Sequence, residues 1–161
     1  MRDKDNLIGR SLVSGTVAGV ATAVAASVAG KREAGSYTAP LNATSHIFWG
    51  DQAARQDRPS WKYTASGFLL NHAASIMWAA VYEKWFASSR SDSDPRSTVV
   101  KPLAGAAVVA AGAYVTDYYL IPKRVTPGFE KRLSGTSLAI IFGVLALGIA
   151  TRSLLIENDS P

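Results

Sequence analysis

Four stretches of the chain, each long enough to cross a bilayer as a helix, run almost free of charge. They cover positions of about 7–30, 64–87, 99–121 and 133–156. A hydrocarbon core about 30 Å thick takes roughly 20 helical residues to cross. Inside it every backbone amide must find its partner within its own segment, which leaves helix as the economical solution. Arg10 is the only charge of the first stretch, and Asp117 the only carboxylate of the third. The second ends in Tyr82-Glu83-Lys84-Trp85, and the fourth is uncharged from Leu133 to Thr151. The pattern predicts an all-α integral membrane bundle of about four transmembrane helices, one membrane domain over positions 1–161.

The first stretch has a rival reading. Arg2, Lys4 and Arg10 precede an apolar run, and Ala26-Ser27-Val28-Ala29 has the small residues of a signal-peptide cleavage site. The run is longer than the roughly 7–15 apolar residues of a secretory signal, so a retained helix is expected. The segment 31–63 is the long first loop, with Ile47, Phe48, Trp49, Trp61 and Tyr63 suited to the head-group interface.

The net charge of +5 raises the question of nucleic acid. Lysine and arginine sit mainly at the ends of the apolar stretches, however, where they meet anionic head groups. Membrane lipids are the expected contact, and no nucleic acid. Orientation stays open, because nine basic residues fall on the side of the first and third loops and eight on the other. With no cysteine and two histidines, thiolate or His-rich metal sites have no material. His46, His72 and Asp117 lack the tight spacing of metal ligands. A phosphate loop, a nucleophile elbow and an HExxH pair are all missing. The expectation is no metal, no cofactor and no catalytic residue.

Small residues carry the packing signal. Lipid tails give helices no hydrophobic reason to associate, so close backbone approach through glycine, alanine and serine matters instead. Ser11, Gly15, Gly19, Ala23 and Ser27 form such a line on the first helix, and Gly135, Ala139 and Gly143 another on the fourth. They serve either packing within one chain or docking of a second. Ionisable groups at membrane depth are costly and need partners. At about 1.5 Å per residue, His72 lies about 22 Å from position 87, and Asp117 about 27 Å from position 99. The two helices should run antiparallel, so the groups share a height. The expectation is an intramembrane polar cluster of Asn71, His72, Tyr114 and Asp117, with His72 paired to Asp117.

The segments Pro40-Leu41-Asn42-Ala43-Thr44-Ser45-His46 through Trp49-Gly50-Asp51, Asn71-His72-Ala73-Ala74-Ser75 through Tyr82-Glu83, and Asp117-Tyr118 through Pro122 to Glu130 resemble a family of small, uncharacterised bacterial inner-membrane proteins. The likeness covers most of the chain in the same four-helix order. It implies a multi-pass protein of a proteobacterial inner membrane and brings no activity, cofactor or site. Together these features favour a non-catalytic membrane protein acting by helix association, either as an accessory subunit or as a self-assembling bundle. The alternative is an oligomeric transporter or channel component for protons or small solutes, lined by Asn71, His72 and Asp117. A lipid-modifying enzyme using His46, His72 and Asp117 ranks third.

Overall fold

The computed structural model describes residues 2–87 and 95–157. Six α-helices are joined by short 3₁₀ and π turns, with no strand among the described residues. Four helices are long: α1 (Arg2–Glu33), α4 (Ser66–Trp85), α5 (Pro95–Val115) and α6 (Gly135–Glu157). Two are short, α2 (Ala39–Thr44) and α3 (His46–Trp49). Most of the second connection expected at 88–98, namely 88–94, lies outside the described residues.

Local chemistry explains where the long helices stop. α1 meets no proline until Pro40, carries Lys31 and Arg32 in its last turn, and is followed by Gly35 at φ 71°. Cations at a helix C-terminus complement its dipole, and glycine reverses the chain there without steric cost. Before α4, the Ser60 hydroxyl accepts a hydrogen bond from the Tyr63 amide at 3.0 Å. The start of α6 is capped from a distance. Glu33 accepts from the Ser134 amide at 2.6 Å and from the Ser134 hydroxyl at 2.9 Å, placing a carboxylate at the positive helix end.

Three helical spans are long and apolar enough to cross a membrane: Asn6–Glu33, Val99–Leu120 and Gly135–Leu155. α4 is not among them. Asn71 and His72 interrupt its middle and Glu83-Lys84 its end, so length alone does not qualify it. Of the about four transmembrane helices expected, three have the length and apolar composition of a span among the described residues, and α4 is a mixed helix.

α1 is the central packing partner. It lies along α4 on one side and α6 on the other; α6 continues onto α5, while α4 and α5 meet only sparsely. Glycines set the close approaches. A Cβ on Gly15 would lie 2.4 Å from Ile76 Cα, and one on Gly19 2.7 Å from His72 Nδ1. Ser11 and Ala23 are buried on the same helix, and Ser27 is partly so. Across the other seam, Gly148 would meet Ala18 Cα at 2.5 Å. The α6 line differs: Gly135 and Gly143 face open space, and Ala139 is exposed.

The first loop is not loose. α2 is entirely buried, and the Asn42 amide donates to the carbonyls of Gln56 and Arg58 at 2.9 and 3.1 Å. Gly67 at the head of α4 passes so close to α2 that a Cβ would lie 1.7 Å from Leu41 O. The third loop folds onto the same layer. Lys131 pairs with Asp51 at 2.8 Å, Arg132 pairs with Asp57 and donates to Ala54 O, and Gly128 at φ 83° lies against Ala43 O. The Lys131 ammonium holds the Asp51 carboxyl below its ordinary range, first by its hydrogen bond and then by its charge. These contacts make one cap of residues 34–65 and 121–134 over one end of the long helices. Phe48, Trp49 and Trp61 stand exposed on it, whereas Ile47 turns partly inward.

Candidate functional site

The gap between α4 and α6, closed at one end by the π turn after α5 and by the cap, holds a cavity of about 340 Å³. The cap closes it at one end with Thr44, Val125 and Pro127; Met77, Trp78 and Leu145 line its deeper, apolar end. Asn71 and Asp117 supply its strongest polar groups. Ligand sites in proteins have this character, mostly apolar with a few placed polar groups, at about 300–1,000 Å³.

Asn71 is fixed. Its side-chain amide donates to Gly19 O at 2.9 Å, and the Thr22 hydroxyl donates to its oxygen at 3.3 Å, tying α4 to α1. Asp117 is held differently. It sits where α5 runs into a π-helical turn, Thr116–Leu120, which carries an extra residue and so rotates the following side chains. Such turns recur at functional sites. Asp117 is half-buried and forms no hydrogen bond or ion pair with the described residues. Another carboxylate, Glu130, is the charged group acting on it from nearby.

His72 and Tyr114 do not line this cavity. His72 stacks on Phe68 at 5.7 Å between centroids and faces α1, with Nε2 3.4 Å from Thr16 Oγ1. The expected His72–Asp117 pair is not formed. Adjacent residues on an α-helix point about 100° apart, so when Asn71 faces the cavity edge His72 turns toward the α1 seam. Tyr114 joins an aromatic group with Tyr118 at 5.1 Å and Phe142 edge-on at 5.3 Å. His46 is buried in the cap, its Nδ1–H donating to Ala43 O at 2.9 Å and its Nε2 3.4 Å from Lys123 O. It staples the first loop to the third.

A second polar centre lies toward the opposite end, and the sequence reading did not assemble it. Glu83 is buried; the Ser14 hydroxyl donates to its Oε1 at 2.8 Å, and Arg152 Nη1 lies 3.5 Å from Oε2. Beside it the Tyr82 hydroxyl donates to Ser153 Oγ at 3.1 Å. These contacts join α1, α4 and α6. The signal that could have found them is height: Glu83 and Arg152 both lie near the C-terminal ends of α4 and α6, which start together at the cap and run parallel.

Comparison of the chain with models of known protein families, with curated proteins and with solved structures finds no match. The fold and the site define a class: a helical protein with three helices able to cross a membrane, and a largely apolar cavity with one carboxylate at its rim.

Proposed function

We propose that this chain is a four-crossing integral membrane protein, non-catalytic, that acts by helix association in a bacterial inner membrane. The bacterial setting rests on the resemblance of its sequence segments. Support for the fourth crossing comes from how α4 distributes its side chains. Asn71, Ser75, Tyr82 and Glu83 are buried, while Leu69 and Met77 face outward. A helix that turns polar groups inward and apolar ones outward suits lipid, whatever its average hydropathy. α1 follows the same rule with Leu12, Val17, Val24 and Val28 on its outer face.

The observation that carries the association reading is the outer face of α6. The glycines at the α1 seams are filled by a neighbouring helix, but Gly135 and Gly143 open onto free space with exposed Ala139 between them. A line of small residues without a partner leaves room for another backbone at the close distances that drive association in lipid. The test is the oligomeric state in lipid nanodiscs, read by single-molecule photobleaching of labelled chains. Wild type should give two or more copies per particle at high loading, and Gly143→Leu single copies with unchanged helicity. Single copies for wild type at every loading would overturn self-association.

The transporter reading keeps Asn71 and Asp117 as neighbours of one cavity but loses His72 to the α1 seam. The enzyme reading is weaker still, since His46 is engaged by backbone carbonyls and His72 by α1.

A further inference from the structure

The cavity between α4 and α6 does not involve the outward small-residue face of α6, and its chemistry is lopsided. One end, under the cap, presents Asp117 with Asn71 and Thr44; the other, about two helical turns deeper, presents Met77, Trp78 and Leu145. Ala74 and Met77 line it and are also exposed, so the cavity is open outward along α4. A carboxylate at the head of an apolar chamber is an expensive arrangement, because an ionisable group at membrane depth is costly unless it is matched. The other carboxylate buried among the long helices is matched: Glu83 has Ser14 and Arg152. Asp117 has no such partner among the described residues.

We infer that this cavity binds a single-chain amphiphile with a protonated amine at its head, the ammonium donating to Asp117 and the tail lying along Met77, Trp78 and Leu145. The sign of the head follows from Asp117, the carboxylate that lines the cavity. A charged N–H donor facing a carboxylate makes one of the stronger hydrogen bonds available, and a cation is the charge that Asp117 attracts. The rings of Phe142 and Phe129 that line the same chamber favour a cation over an anion as well. The size follows from the volume: about 340 Å³ is at the lower end of ligand cavities, room for one chain and not for the pair of a phospholipid.

The experiment is native mass spectrometry of the full chain in a non-ionic steroid-glycoside detergent at neutral pH. The probes are dodecylammonium, dodecanol, dodecyl sulfate and a dilauroyl phosphatidylethanolamine. One dodecylammonium should bind per chain, about tenfold or more tighter than dodecanol, the range expected of a hydrogen bond to a charged group. Asp117→Asn, which keeps shape and removes charge, should bring dodecylammonium to the dodecanol level while helicity and melting stay intact. Ala74→Phe, which fills the chamber from its wall, should weaken both. Equal binding of ammonium and alcohol by wild type, a preference that survives Asp117→Asn, or a preference for dodecyl sulfate or for the phospholipid would each overturn the assignment.

Discussion

Replacing Gly15 by alanine puts one methyl group into the seam between α1 and α4, and its cost can be worked from the geometry. The new Cβ would stand 2.4 Å from Ile76 Cα and 2.9 Å from Ile76 N. Those are backbone atoms, so no side-chain rotation relieves the contact. Reaching ordinary separation requires the two helices to part by about 1 Å locally, and a gap of that size forfeits a quarter to a half of the dispersion energy of the atoms that face it. Overpacking of this kind costs about 1–3 kcal/mol. Alanine returns about 0.5–1 kcal/mol, because glycine is the poorer helix former. The net expectation is a loss of about 0–2.5 kcal/mol, centred near 1. Gly143→Ala makes the same chemical change on the open face of α6, where nothing lies within 4 Å of the new methyl. It should be neutral or stabilising by up to about 1 kcal/mol. The assay is unfolding in mixed micelles of rising sodium dodecyl sulfate content, followed by far-ultraviolet circular dichroism. If Gly15→Ala unfolds no earlier than Gly143→Ala, α1 does not lie on α4 as described, and the packing argument fails with it.

Three further outcomes are expected. Arg152→Met should destabilise by up to about 3–5 kcal/mol in the same micelle titration, since it strips the guanidinium from a buried Glu83; Glu83→Gln should cost less, because it still accepts from Ser14. Gly128→Ala should loosen the cap, because alanine is strained at φ 83° and its methyl would lie 2.5 Å from Ala43 O; faster proteolysis within 50–58 would report it, and an unchanged cleavage rate would count against the cap. Asp51 has a depressed carboxyl, so its contribution to the cap is complete above the ordinary carboxylate range and is lost as pH falls through the lowered value; hydrogen exchange around Asp51 should rise on acidification in wild type and already be high at neutral pH in Asp51→Asn.

Much of this architecture is legible along the chain itself. The long apolar runs, Pro40, Gly35, Pro122 and Gly128 place the helices and their ends, because helix length in lipid and backbone stereochemistry are local matters. Height is local too: a rise of 1.5 Å per residue puts Asn71 and Asp117 at one level without knowledge of the fold. Direction around the helix axis is not local. Whether Asn71 or His72 faces the cavity depends on where α1 settles, and that is decided by Gly15 and Gly19 meeting Ile76 and His72. The π turn at Thr116–Leu120 shifts the face of Asp117 again, and periodicity carries no trace of it. The cap, the Glu83–Arg152 centre and the outward turn of Gly135 and Gly143 belong to the same category. Each needs partners from distant parts of the chain, so only the assembled helices could choose them.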